Sequence, residues 1–232
     1  PDSETHTNFT IKNINFELNK NIKTICGAIV SYYYSNTDQF EYCDITIENC
    51  HLSGLAKIAG ENAGGIAGNS FGRYSNCNIQ YCSNSLVISG ESAGGICGRN
   101  AGNKEGILII EYCWNEGEIS GDHTGGICGG RLGYDNTDKT TIIRYCYNKG
   151  NISGEDAGGI CGGDAAYGEI SHCYNRGDGN DTSNRQGGIV GHGAKSITIL
   201  NCWSTSNDNL SASIAVGTYS GNTVSMKNCY AI

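Results

Sequence analysis

The sequence predicts an all-β protein, a single parallel β-helix (β-solenoid) with about 30 residues in each coil. Three observations predict it. The composition is rich in glycine and poor in proline and charge, one motif recurs in register along the chain, and the aliphatic residues fall in short segments that follow no helical stripe.

The chain has 232 residues, of which 35 are Gly and one is Pro, and 16% are charged. Disorder needs more charge and fewer apolar residues, and a collagen-like chain needs abundant proline. So much glycine suits a backbone that turns tightly many times, and it disfavours helix interiors. The Ile, Val, Thr, Tyr and Asn content favours strands and turns. A net charge of −8 argues against nucleic acid or an anionic membrane surface as partner. No apolar run approaches the ~20 residues that cross a bilayer, so no membrane insertion is expected. The start, Pro1-Asp2-Ser3, has neither a methionine nor a signal segment. It reads as a processed or excised piece of a larger chain.

The repeat decides the architecture. Residues 81–98 (YCSNSLVISGESAGGICG), 112–129 (YCWNEGEISGDHTGGICG) and 145–162 (YCYNKGNISGEDAGGICG) align directly, and weaker copies flank them at 49–68 and 172–191. One column is Cys50, Cys82, Cys113, Cys146, Cys173, Cys202 and Cys229; a second is Ile66, Ile96, Ile127, Ile160, Ile189 and Ile214. Each unit carries an Ile three residues before the Cys, an Ile-Ser-Gly step and a Gly-Gly-Ile step. These predict three short strands per coil and roughly six to seven coils. Stacking at about 4.8 Å turns the Ile and Cys columns into interior ladders. The general crossover rule favours a right-handed coil. Asn84, Asn115, Asn148 and Asn175, two residues after the Cys, suit a buried amide ladder at a turn; four unrelated turn asparagines are the alternative. Residues 1–40 fit the repeat poorly and are expected to form an N-terminal cap or an irregular first coil, with the solenoid over residues 41–232. The longest insertion, residues 131–141, marks an edge where loops are displayed, and such edges are often a binding face.

The steps Gly-Ile-Cys-Gly at 95–98, 126–129 and 159–162, Gly-Ile-Ala-Gly at 65–68 and Gly-Ile-Val-Gly at 188–191 resemble the GLUG-motif repeats over roughly residues 43–230. That resemblance implies a β-solenoid stalk or adhesive region of a secreted or cell-surface protein, as in bacterial adhesin-like proteins and the non-catalytic parts of some immunoglobulin-A-cleaving proteases. It implies no active site.

Several residues could still carry chemistry. The thirteen cysteines form no Cys-x-x-Cys or Cys-x-x-His pair, so zinc and iron–sulfur sites are poorly supported. They read as small buried hydrophobes, with bridges involving the off-register Cys26, Cys43 or Cys77 as the alternative. Glu61, Glu91, Asp122 and Glu155 form an acidic turn column. Solvated turn residues are the simpler reading, and a Ca2+-binding edge is the other. Trp114, Tyr147, Tyr174 and Trp203 follow the Cys in successive rungs, with Tyr230 after them. A ridge that binds a glycan or a protein and simple packing of neighbours fit this column equally. Tyr134 and Asp135 lie in the long insertion and are candidates for display.

Parallel β-helices also serve as polysaccharide lyases and glycosidases. That alternative needs clustered carboxylates, for which Asp135, Asp138, Asp164, Asp178 and Asp181 are the candidates. His51, His123, His172 and His192 occupy non-equivalent repeat positions, and no nucleophile motif is present. The outward positions beside the Cys are irregular and charged, which argues against ice binding. The reading that results is a non-catalytic module for adhesion, for binding a glycan or protein, or for use as a stalk.

Overall fold

The computed structural model describes residues 7–23, 27–31, 43–138, 140–179, 185–205, 214–215 and 223–231. These contain strands and turns and no helix. All strand pairs are parallel and form a fourteen-stranded and a five-stranded sheet. The chain is a β-solenoid. Equivalent positions in successive coils lie 27 to 33 residues apart, as the Asn148–Asn175 and Asn115–Asn148 steps show.

The first face is built by the strand that precedes each Cys. It stacks Thr7–Leu18, Cys43–Gly54, Asn76–Gln80, Ile107–Glu111, Thr141–Arg144, Gly168–Ser171, Ile197–Leu200 and Val224–Lys227. Strict alternation places Ile47, Ile79, Ile110, Ile143, Ile170 and Ile199 inside at 0% exposure. Each is opposite its counterpart in the next coil. Full burial of one Ile contributes about 1.5–3 kcal/mol, which explains why short strands of four or five residues hold. Thr7–Leu18 pairs with Cys43–Gly54 in register, so residues 7–18 already form a rung of the solenoid. Tyr32, Tyr33, Tyr34 and Cys26 lie outside the described residues.

The chain turns a corner at the residue just before each Cys. Asn49, Tyr81, Tyr112, Tyr145, His172 and Asn201 all adopt φ between 52° and 55° there. This left-handed conformation costs a non-glycine residue about 1–2 kcal/mol. The following thiol braces it. Each Cys Sγ donates to the carbonyl two residues back, across the corner, at 3.2 Å for Cys82 and Cys173 and 3.3 Å for Cys113, Cys146 and Cys202. The column from Cys50 to Cys202 is fully buried and unbridged. Burial pushes the thiols of Cys113, Cys146 and Cys173 well above the ordinary value.

The placement of strands differs from the three segments the repeat suggested. The Cys-to-Asn step is a strand of its own, at Trp114–Asn115, Tyr147–Asn148 and Tyr174–Asn175. The Gly-Gly-Ile step makes only single bridges, at Gly94, Gly125 and Gly158 and at Cys97, Cys128 and Cys161, with a bend between. The reason is the glycine pair. A Cβ on Gly125 would fall 1.9 Å from the Cys128 carbonyl oxygen, and one on Gly126 would fall 2.5 Å from Asn148 Cγ. The first glycine therefore permits the bend, and the second leaves room for the asparagine amide.

That amide ladder runs through the interior. Asn84 donates to Asn115, Asn115 to Asn148 and Asn148 to Asn175, each from Nδ2 to Oδ1 at 2.8 Å. The second amide hydrogen of each goes to a carbonyl two residues on, of Leu86, Gly117, Gly150 and Gly177 in turn. The third strand, at Val87–Ser89, Ile119–Ser120 and Ile152–Ser153, then closes the coil with Ile88, Ile119 and Ile152 inward.

Candidate functional site

The corner before each Cys sets two side chains on the outer wall, one on either side of the buried thiol. The residues after the Cys form the first aromatic column. Trp114 stacks on Tyr147 with centroids 6.0 Å apart, Tyr147 on Tyr174 at 5.0 Å, and Tyr174 on Trp203 at 4.7 Å, with interplanar angles of 12° or less. His51 extends it, tilted 41° against Trp114. The structure thus brings together the four ring residues that the sequence singled out. Tyr230 is paired with Trp203 in register on the terminal rung.

A second column, which the sequence reading missed, stands on the corner residues themselves. Tyr81, Tyr112 and Tyr145 stack at 5.0 Å with planes 5° and 6° apart, and His172 continues the row at 4.9 Å. The tyrosines are 47, 41 and 43% exposed. Asparagines flank the row on both sides. Asn49 donates to Asn13, Asn201 bonds His172, and Asn228 donates to Asn201. The signal was present as Tyr-Cys, Tyr-Cys, Tyr-Cys, His-Cys in four successive copies.

Charged groups lie around this corner in paired form. Arg144 Nε is 2.7 Å from Glu111 Oε2, and Gln80 donates to the other oxygen of Glu111. Lys149 pairs with Glu116 at 2.9 Å and lies over the Tyr147 ring. Arg176 lies over both Tyr174 and Trp203. Burial against its neighbours raises the Tyr147 phenol, which keeps its hydrogen available for donation.

The other sequence candidates are dispersed. Tyr134 and Asp135 are exposed on the insertion, whose base is pinned by the buried Asn136 donating to the Gly102 and Gly106 carbonyls. Tyr134 lies under Arg131, and Asp135 pairs with Lys104 at 2.8 Å. Asp164 pairs with Arg131, and the Asp178 amide bonds the Asn151 side chain in the third-strand column. Asp138 is exposed, and Asp181 lies outside the described residues. Of the described ones, Asp135 and Asp164 are each paired with a different cation.

The acidic column behaves likewise. Glu61, Glu91, Asp122 and Glu155 are exposed, one per rung. Asp122 accepts the Glu155 amide hydrogen, and Glu155 pairs with Arg185. Among the described residues no three His, Cys, Asp or Glu side chains gather into a group that could hold a metal ion.

One polar cluster stands beside that column. Asp156, 5% exposed, is held by Arg185, with Nη2 at 2.8 Å from one oxygen and Nε at 2.6 Å from the other. His123 and His192 place Nδ1 at 3.5 and 3.6 Å from the same carboxylate. Burial raises the Asp156 carboxyl above its ordinary value, against the pull of Arg185. The glycines after Cys128 and Cys161 make the room, since a Cβ on Gly130 would lie 3.1 Å from His123 Cβ and one on Gly163 3.0 Å from Asp156 Cβ.

No family model, curated protein or solved structure matches the chain.

Proposed function

We propose that this chain is a non-catalytic binding module of a secreted or cell-surface protein, and that the aromatic corner is its docking strip for a glycan or a protein. The observation that carries the reading is the pair of in-register aromatic columns on one exposed corner. Large aromatics clustered on a surface mark interaction sites far more often than isolated ones do, and Tyr and Trp are enriched where partners bind. The corner is also rigid. Every ring is fixed by a strand or corner residue whose neighbours on both rungs hold the same conformation, so docking would cost little side-chain entropy. The pairing of Asp135 with Lys104 and of Asp164 with Arg131 supports binding over polysaccharide cleavage, which calls for a free acid–base pair. The GLUG-like Gly-Ile-Cys-Gly steps support an adhesive or stalk setting for the module.

The test is a glycan array run beside a polysaccharide-degradation screen. Retention of a glycan with no release of oligosaccharides supports the reading. Oligosaccharide release would overturn it in favour of a carbohydrate-active enzyme.

A further inference from the structure

Two guanidiniums beside the acidic turn column lack acceptors for buried donors. The Asn100 amide bonds the Gly130 carbonyl, so Arg99 and Gly130 hold the same position on neighbouring rungs. Arg131 follows Gly130 in the chain, which makes Arg99 and Arg131 diagonal neighbours. Both Nε atoms are buried and make no hydrogen bond. Asp164 Oδ2 lies 3.8 Å from Arg131 Nε, beyond hydrogen-bond reach. Burial, and after it the Arg131 charge, holds the Arg99 guanidinium below its ordinary value against the smaller single pulls of Glu91, Asp164 and Glu61. Glu61 and Glu91 are exposed, and Asp156 is already held by Arg185. A third polar group faces the same place. Ser92 is 1% exposed, and its hydroxyl has no hydrogen-bond partner. It is turned toward Gly130, where a Cβ would lie 3.1 Å from Ser92 Oγ and from His123 Cβ. Glycine at 130 therefore leaves open an approach that any side chain would close.

A desolvated cation with an unfilled donor is costly unless an anion reaches it. The planar fork of arginine matches the oxygens of a carboxylate or a phosphate. Two forks side by side match two negative charges better than one, which favours a divalent oxyanion over a carboxylate. The neighbouring acceptor narrows the class further. The Gly130 Cβ position is also 3.3 Å from the Gly163 carbonyl oxygen. That oxygen suits an anion that keeps a proton to donate. Hydrogen phosphate carries two charges and one proton at neutral pH, whereas sulfate carries two charges and none. The net charge of −8 opposes such an ion at long range, but salt screens exposed charges beyond about 8 Å, so local donors decide. We infer that Arg99 and Arg131, with the Ser92 hydroxyl, form a binding site for inorganic phosphate. The site stands apart from the aromatic corner and does not depend on the docking function proposed for it.

The test is calorimetric titration of the full chain at pH 7 and constant ionic strength with inorganic phosphate, sulfate and glucose 6-phosphate. Arg99→Gln and Ser92→Ala are titrated in parallel. Phosphate should bind about 10-fold more tightly than sulfate, Arg99→Gln should weaken it about 10- to 100-fold, and Ser92→Ala about 3- to 30-fold. Thermal melting in chloride buffer gives a second readout. Arg99→Gln removes a desolvated, unmatched charge, so it should melt no lower than wild type there, and phosphate should raise the melting temperature of wild type alone. A clear loss of stability for Arg99→Gln in chloride would show that the guanidinium already has its partner and would overturn the inference. So would sulfate bound as tightly as phosphate, phosphate binding unchanged in Arg99→Gln, or no binding of phosphate at all. Tighter binding of glucose 6-phosphate than of the free ion would overturn the assignment to inorganic phosphate.

Discussion

Replacing Asn148 with Ala should be among the most damaging single changes in the protein. Asn148 is fully buried at the middle of the amide ladder. It accepts from Asn115 at 2.8 Å and donates to Asn175 at 2.8 Å and to the Gly150 carbonyl at 2.7 Å. Asn175 keeps a second donor in the Gly177 amide. The Asn115 amide hydrogen and the Gly150 carbonyl each lose a partner in the interior. A buried polar group deprived of its partner costs about 1–3 kcal/mol, so Asn148→Ala should destabilise by about 4 kcal/mol before any loss of packing. Lys149→Ala is the control. It removes a bond of similar length, 2.9 Å to Glu116, on the exposed outer wall, and should cost about 0.5 kcal/mol. Guanidinium denaturation followed by circular dichroism measures both. A loss below about 1 kcal/mol for Asn148→Ala, or one equal to the control, would refute the view that the ladder holds the coils together.

Gly126→Ala should unfold or severely weaken the central coils, because its Cβ would lie 2.2 Å from the Gly159 carbonyl oxygen and 2.5 Å from Asn148 Cγ; thermal melting reads the loss. The interior thiols should resist Ellman's reagent at pH 8 in the native chain and react after denaturation, since burial raises Cys77 to about 12 and drives Cys113, Cys128, Cys146, Cys161 and Cys173 well above their ordinary value. Rapid native modification of those six would contradict the structure. Asp156 gives the pH dependence. Its carboxyl is raised in the folded chain, so its ionised form costs stability that appears as pH rises from its ordinary value of 3.8 through the folded one. Denaturation across that range should show wild type losing stability relative to Asp156→Asn as pH rises, and the opposite slope would show that Arg185 outweighs burial.

The solenoid was legible because a repeat states the same instruction many times. A column of Cys, a column of Ile and an Asn two residues after the Cys can only fall in register if the coils stack, and Asn84 through Asn175 do so. The corner was less legible. Tyr81, Tyr112 and Tyr145 are visible beside the cysteines, but nothing in the residue type announces a left-handed φ of 55°. Tyrosine is not favoured there; the stack and the thiol brace impose it. The Gly-Gly-Ile step looked like a strand because Ile is a strand former, whereas the glycines beside it decide its bend. The Asp156 cluster was out of reach for a different reason. Arg185 and His192 meet Asp156 from the next coil, and His123 from the preceding one. Their convergence depends on Gly130 and Gly163 leaving space, a lateral relation that spacing along one chain does not record.

The most direct test of the account is to remove the docking strip and leave the solenoid intact. Tyr112→Ser/Tyr147→Ser, chosen on the two neighbouring columns, should retain the wild-type circular dichroism spectrum. The glycan or protein captured by the wild-type chain should be lost from this variant, with no oligosaccharide released by either. Capture undiminished by the double substitution would place binding elsewhere on the solenoid and contradict the central claim.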